Sequence, residues 1–366
     1  MHTLELTSHG SGDPRRPLLE VPSEELLAWL QRQEQAPLRA RQIRRWLLIG
    51  RATAFEHMSD LPKRLREDLD AAFRPLGGDI ARHLISGDGT HKLLLRLRDG
   101  QVVECVLLKE AGRRTVCIST QVGCGMGCVF CASGLGGVVR NLTTGEILEQ
   151  MIHARNLLPA EERLTNLVVM GMGEPLANLD ALLEALTVAT SPRGLGIGAR
   201  HITISTVGLP AKMRQLAELG KQYHLAVSLH APNDELRTRI VPTNDKTGLA
   251  AILEAADYFY AKTGRQVTYE YVLLRDINDQ PMHAGQLGKL LRGRQAHINL
   301  IPFNDVVGLP YQRLSEPALM DFLAILRDAG ISVKVRKRKG VDIDAACGQL
   351  RREALAGTEP VPAARV

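Results

Sequence analysis

Aromatic residues are scarce in this 366-residue chain, where two Trp, six Tyr and six Phe make up only 4% of the sequence. A core of the required size must therefore be aliphatic, and 45% hydrophobic residues are enough to build one. No run approaches eighteen consecutive apolar residues, so no membrane-spanning helix is expected. The first twenty residues are polar and hold no apolar stretch of signal-peptide length. Cysteine is limited to six positions. That is too few for a disulfide scaffold, and it points to metal or redox chemistry in a reducing cytoplasm. Excess charge is also small, with a formal net charge of +6, but it is bunched. Arg39, Arg41, Arg44 and Arg45 crowd one predicted helix, and Lys334, Arg336, Lys337, Arg338 and Lys339 crowd a segment near the C-terminus. Each cluster is either a solvated face or a surface for phosphate.

Along the chain, residues 1–21 read as a flexible leader. A helical module is expected over 22–80. Ser23 is placed to cap its first helix. Over 38–48, Ala40, Ile43 and Leu47 share one face, and Pro62 opens a third helix. Within 81–112, residues 92–97 and 102–108 joined through Asp99-Gly100 read as a β-hairpin. From about 113 strands and helices alternate, with strands over 115–120, 167–170, 202–206, 225–229, 267–273 and 298–301. Thr143 and Glu146 form a capping-box pattern. Pro210 starts one helix and Gly220 can end it, while Ser315 and Pro317 open the last long helix and Gly330 can close it. Six such units imply an α/β fold with a parallel sheet and right-handed crossovers. The sheet is either open and doubly wound or a partial barrel, and in both the site lies at the C-terminal strand ends.

Three cysteines carry the chemistry: Cys124, Cys128 and Cys131, in the pattern CxxxCxxC. A four-iron cluster normally takes four thiolates. Three from one loop leave one iron open, and an open position distinguishes a reactive site from a structural one. Structural zinc prefers four ligands in paired CxxC knuckles. No second knuckle follows, because Cys105 and Cys117 are too far apart and His153 falls in a predicted helix. Zinc and incidental buried thiols remain as alternatives. With Phe130 before the third cysteine, the run resembles the radical S-adenosylmethionine (SAM) enzymes. That resemblance implies a [4Fe-4S] cluster whose open iron is held by SAM, and a partial (β/α)6 barrel over 113–340.

Polar groups recur at the strand ends. After the second strand comes Gly171-Met172-Gly173-Glu174-Pro175, where glycine lets the backbone approach a ligand closely. The segment resembles the superfamily's GGE turn, which implies that Gly173 and Glu174 contact the SAM amino group. Ser205 ends the third strand, Ser228-Leu229-His230 ends the fourth, and Asn304 follows the sixth. Each residue alone could be a cap or a loop polar group. Their shared position aims them at one cofactor.

Taken together, CxxxCxxC, Met-Gly-Met-Gly-Glu-Pro-Leu-Ala-Asn from Met170, Ser-Leu-His-Ala-Pro from Ser228 and Asp-Ile-Asp-Ala-Ala-Cys-Gly-Gln-Leu from Asp342 are similar to the RlmN/Cfr radical SAM RNA methyltransferases. Arg-Ala-Arg-Gln-Ile-Arg-Arg-Trp-Leu from Arg39 and Asp-Leu-Pro-Lys-Arg-Leu-Arg from Asp60 resemble the family's accessory domain. The likeness spans about 22–352, and 341–366 reads as a C-terminal segment that holds Cys347 and ends in a flexible tail. Ala132-Ser133-Gly134 and Phe303 depart slightly from the usual pattern.

The resemblance implies a mechanism. Cys347 receives a methyl group from a first SAM, and the reduced cluster cleaves a second SAM to a 5′-deoxyadenosyl radical. That radical takes hydrogen from the methyl group, and the resulting carbon radical adds to adenine. Cys117, which on its own reads as a small buried hydrophobe, attacks the Cys347 sulfur to release product through a transient disulfide. Glu104 matches a position proposed as proton acceptor, although a strand carboxylate usually faces solvent. Cys105 matches no role.

Pro175, Ile301-Pro302-Phe303-Asn304 and Arg338-Lys339-Gly340 resemble the C2-methylating RlmN type more than the C8-methylating Cfr type. The implied substrates are an adenosine in the peptidyl-transferase centre of 23S rRNA and the adenosine 3′ of the tRNA anticodon. Basic groups would contact phosphates without choosing the base, and the target base would be splayed out. A flavodoxin or ferredoxin donor, a monomeric state and a cytoplasmic location complete the expectation. A non-catalytic zinc module that binds RNA is the alternative from another class. A radical SAM activase of a protein substrate would leave Cys347 and the basic helices unexplained.

Overall fold

The computed structural model describes residues 2–4, 13–304, 306, 308–346 and 348–350. Cys347 and most of the sequence-predicted tail therefore lie outside the described residues. Among the described residues no helix is long and apolar enough to cross a membrane.

One sheet of eleven strands runs in chain order from edge to edge. Its strands are β1 (His2–Leu4), β2 (Asp79–Ile85), β3 (His91–Arg96), β4 (Val102–Glu110), β5 (Arg113–Cys117) and β6 (Asn166–Val169), followed by β7 (Ile202–Thr206), β8 (His224–Ser228), β9 (Val267–Leu273), β10 (Ala296–Pro302) and β11 (Ser332–Val335). Neighbours from β1 to β5 pair antiparallel. From β5 to β11 every pair is parallel. Helices α1 (Ser23–Arg32), α2 (Leu38–Leu48) and α3 (Lys63–Ala72) precede β2. Crossovers between the parallel strands carry α4 (Thr144–Asn156), α5 (Leu179–Thr190), α6 (Pro210–Glu218), α7 (Asp234–Ile240), α8 (Leu249–Thr263), α9 (Pro281–Leu291) and α10 (Glu316–Asp328).

The six expected parallel strands are present, and β11 adds a seventh. It escapes sequence reading because its four residues are alternately exposed and half-buried and include Lys334. The expected hairpin is β3–β4, but β2 pairs on one side of it and β5 on the other. The antiparallel strands and the parallel strands thus share one hydrogen-bonded sheet. Residues 13–21 depart from the leader reading. Arg16–Pro17 pairs with Phe73–Arg74, and Leu18 and Leu19 are buried in the main core. Ser23 does not cap α1: Pro22 occupies the N-cap, and no side chain bonds there. At α4 the capping box is complete, with Thr143 and Glu146 bonding each other's backbone N–H.

The core is aliphatic, as the composition requires, with a few aromatics such as Phe259, Tyr269, Tyr271 and Phe322, the last two with ring centroids 5.6 Å apart. One buried carboxylate joins the helical module to the rest. Glu149 on α4 accepts hydrogen bonds from Gly77 N (2.6 Å) and Gly78 N (2.7 Å), just before β2. Burial pushes its carboxyl up to about 8, against the opposing pull of those two N–H groups. A carboxyl raised in the folded state is most stabilising below its ordinary value, and that stability fades as pH climbs to the raised one. In a melting series from pH 5 to pH 8, the wild-type protein should therefore lose stability relative to Glu149→Gln. Parallel curves would show that Glu149 does not titrate in this window.

Candidate functional site

A cleft of about 950 Å³ opens at the C-terminal ends of the parallel strands, and Cys124, Cys128 and Cys131 all line it. Their loop is fastened on three sides. Gly123 sits at φ +77°, where a Cβ would fall 2.1 Å from the Gly137 carbonyl oxygen, and Cys124 N donates to that same carbonyl at 2.9 Å. Val129 N donates to Ile240 O of α7 at 3.1 Å, and Ala132 N to Gly348 O at 2.9 Å. Burial pushes the Cys124 thiol up to about 12 and the Cys128 thiol well above its ordinary value. In an iron–sulfur cluster each thiolate binds a different iron, and three cysteines lining one cleft can supply three of them.

Facing the cysteines, the chain continues past β5 along the end of β6. Gly173 has φ +102°, and a Cβ there would fall 2.7 Å from Gln121 N and Cβ, so only glycine fits. Glu174 is almost fully buried. Its Oε1 accepts from Leu176 N (3.0 Å) and its Oε2 from Val207 N (2.9 Å), and burial raises its pKa. Ser205 Oγ and Ser228 Oγ lie 3.4 Å apart on adjacent strands. His230 takes a left-handed φ of 62° and stacks edge-on against Phe130, with ring centroids 4.9 Å apart. Its Nδ1 accepts from Val272 N at 3.1 Å, so the hydrogen resides on Nε2. Burial, with Arg237 nearby, lowers its pKa to about 3, and the ring is neutral. Asn304 Oδ1 accepts from Arg338 Nε at 2.8 Å. Leu229 stands behind this wall rather than in it, fully buried, with its carbonyl accepting from Arg237 Nε at 3.0 Å.

Sequence reasoning missed three charged residues of the site. Glu270 lines the cleft from mid-β9, accepts from Asn299 Nδ2 at 3.0 Å and pairs with Arg336 Nη1 at 3.7 Å. A lone carboxylate between Tyr269 and Tyr271 in an otherwise apolar strand was the available signal. Arg237 lies buried beneath the site. Lys92, on β3, forms an ion pair with Glu104 Oε1 at 2.9 Å, and both side chains are at most 1% exposed. Glu104 thus departs from the usual solvent-facing strand carboxylate: it is buried, and an ammonium meets it there.

Lys92 Nζ also donates to Asp344 O at 3.3 Å, which ties the C-terminal segment to this pair. The β2–β3 turn grips the same segment. Gly340 N donates to Asp88 Oδ2 (3.1 Å) and Gly87 N to Asp342 Oδ2 (3.2 Å). Gly348 reaches the cleft wall. Cys117, at the end of β5, is buried, and so is Cys105. Burial raises the Cys105 thiol, whose nearest acceptor is Gln150 O at 3.9 Å. No disulfide joins any two of the described cysteines.

Most of the basic residues picked out from the sequence have structural partners. Arg45 pairs with Asp60 at 2.7 Å, Arg39 bonds Gln42 and the Asp60 carbonyl, and Arg44 donates to Val21 O. Near the C-terminus Lys339 pairs with Glu110 at 3.8 Å, Arg336 with Glu270 and Arg338 with Asn304. Arg41, Lys334 and Lys337 remain exposed to solvent.

Comparison with known proteins agrees with this geometry. Residues 118–284 match the radical SAM superfamily, and residues 17–74 match the ribosomal RNA large subunit methyltransferase N-terminal domain. The chain is 56% identical over 345 residues to a protein of Rhodopirellula baltica named "Probable dual-specificity RNA methyltransferase RlmN", covering 94% of this chain and 93% of that one. A protein of the same name from Geobacillus kaustophilus is 45% identical, covering 93% of this chain and 94% of its own length. Among solved structures, a radical SAM methyltransferase from Sphaerobacter thermophilus superposes with a TM-score of 0.89 at 42% identity, covering 92% of this chain and all of that one. The cysteine-lined cleft at the strand ends, the N-terminal helical module and these full-length likenesses place the chain in the RlmN family of radical SAM methyltransferases.

Proposed function

We propose that this chain methylates C2 of an adenosine in the peptidyl-transferase centre of 23S rRNA and of the adenosine 3′ of the anticodon in tRNA, using two SAM per turnover. One observation carries the reading: the cysteine loop and the 342–350 segment meet at one cleft, with Gly348 in its wall and bonded to Ala132. The relatives' printed name, a dual-specificity RNA methyltransferase, supports two classes of RNA. The protein would act in the cytoplasm as a monomer, reduced by a flavodoxin or ferredoxin.

Bound through Cys124, Cys128 and Cys131, a [4Fe-4S] cluster with one open iron would pass an electron to SAM and supply the radical chemistry that an adenine C2, unreactive toward ordinary methyl transfer, requires. Gly173, Glu174, Ser205, Ser228, His230 and Asn304 are the proposed SAM contacts, while Leu229, expected among them, lies behind the wall and supports it. Glu174 keeps acceptor capacity beyond its two backbone bonds, and neutral His230 can donate from Nε2. Cys347 carries the methyl group, which its thiolate must accept as a nucleophile. Glu104 receives the ring proton, with the Lys92 ammonium as its counter-charge, and the adduct's unpaired electron would return to the oxidised cluster, leaving a closed-shell thioether. Cys117 then attacks the Cys347 sulfur. A sulfur–sulfur bond forms, the sulfur–carbon bond breaks, and the electron pair left on carbon takes a proton to complete the methyl group. A dithiol must reduce the resulting disulfide before the next turnover.

Reconstituted anaerobically and reduced, the protein incubated with SAM and unmodified 23S rRNA should yield 2-methyladenosine by nucleoside mass spectrometry. 8-Methyladenosine would move it to the C8 type, and a colourless zinc-loaded protein would end the radical reading. Cys117→Ala should accumulate a covalent RNA–protein adduct on a denaturing gel; free product at the normal rate would remove its resolving role. Cys347→Ala should still bind and cleave SAM yet lower methyl transfer at least a thousandfold, a loss of about 4 kcal/mol in transition-state stabilisation. Retained methylation would refute the carrier.

A further inference from the structure

Arg237 is a buried cation that bonds no carboxylate directly; the charge of Asp234 reaches it only across Asn244. Its side chain is 1% exposed, and its described bonds all go to neutral oxygens. Nε donates to Leu229 O (3.0 Å), Nη1 to Asn244 Oδ1 (2.7 Å), and Nη2 to Val207 O (2.5 Å) and Ser228 O (3.0 Å). The acid nearest along this network, Asp234, is engaged elsewhere: its Oδ1 accepts from Asn244 Nδ2 (2.9 Å) and Leu249 N (2.7 Å). Asn244 thus stands between the carboxylate and the guanidinium. A charge taken out of water without a counter-charge is among the costliest arrangements in a protein interior. A purely structural hub for these carbonyls would not need to be ionic.

The helix that carries Arg237 packs against the cysteine loop. Ile240 O accepts from Val129 N at 3.1 Å, and Leu236 and Ile240 share an apolar cluster with Phe130 and Ala132, against which Cys128 and Cys131 pack. Arg237 Nη2 holds the carbonyls of Val207 and Ser228, and both residues line the cleft together with Cys128. Burial lowers the Arg237 pKa only to about 10, so the guanidinium stays charged at any working pH. A [4Fe-4S] core of charge 2+ held by three thiolates is an anion, and a one-electron reduction makes it more negative still.

We propose that Arg237 is the built-in counter-charge of the iron–sulfur cluster, stabilising its reduced state and so setting the potential at which it accepts an electron. The same guanidinium, through the carbonyls of Val207, Ser228 and Leu229, fixes the strand ends that face the cofactor. It is a positioning residue, and the assignment rests on the reading of Cys124, Cys128 and Cys131 as cluster ligands. Arginine suits the place because its fork satisfies several acceptors at once and keeps its charge when buried.

The test is an EPR-monitored redox titration of the anaerobically reconstituted full chain, with iron and sulfide assayed on each sample. Arg237→Gln should lower the midpoint potential by at least 59 mV, a tenfold loss in the one-electron reduction equilibrium. Arg237→Lys, which keeps the charge but not the fork, should stay near the wild-type potential. Asn244→Asp leaves Arg237 in place and sets a carboxylate against its Nη1, so it should lower the potential in the same direction; it decides the matter if Arg237→Gln fails to fold. A full cluster with an unchanged potential in Asn244→Asp, or in a folded Arg237→Gln, overturns the proposal. A wild-type protein that takes up no iron and sulfide would instead overturn the cluster reading itself, and the role of Arg237 with it.

Discussion

Where β5 stops pairing as a regular strand, residues 118–121 run on against the end of β6, and the two segments lock together. Ile118 N donates to Val168 O, Gly171 N to Ile118 O and Thr120 N to Met172 O, while Glu174 N donates to the Gln121 side chain. Gln150, from α4, holds the Ser119 backbone from behind, its Oε1 accepting from Ser119 N and its Nε2 donating to Ser119 O. This interlock sets the start of the cysteine loop beside the Gly173-Glu174 turn. The close approach needs a residue without a side chain at 173. A shift of one residue in either segment would separate the groups that share the cleft.

Buried ionisable groups form a second layer of organisation. Glu149 joins the junction after the helical module to α4. The Lys92–Glu104 pair reaches from β3 and β4 to Asp344. Arg237 ties the ends of β7 and β8 to the segment after α7. Each group sits where two parts of the chain must be held in register. A buried charge left half-satisfied is costly, so each resists alternative packings more sharply than another aliphatic contact would.

Much of this was legible in the sequence. Six parallel strands, the capping box at Thr143 and the three-helix module follow from periodicity and end signals. So does the gathering of Glu174, Ser205, Ser228, His230 and Asn304 at one cleft, because strand ends on one edge of a parallel sheet must converge. Side chains that break the polar-outside rule were not legible. Lys92, Glu104 and Arg237 look like surface residues until their partners, on other elements and from 7 to 252 positions away in the chain, are known. The arginines of α2 mislead in the opposite sense: a run that reads as a basic face is largely consumed by Asp60, Gln42 and the Val21 carbonyl. Pairing partners outside the local window decide both cases.

The grip of the β2–β3 turn on the C-terminal segment bears on the order in which the molecule can assemble. Asp88 and Gly340 are bonded across 252 positions, among the longest closures in the chain. The antiparallel strands β2 to β5 are neighbours in sequence and can pair as soon as they are made. During synthesis the cysteine loop and its sheet can therefore fold while the segment that will cover them is still in the ribosome. The grip on that side of the cleft forms only when Gly340 and Asp342 reach a turn made long before them.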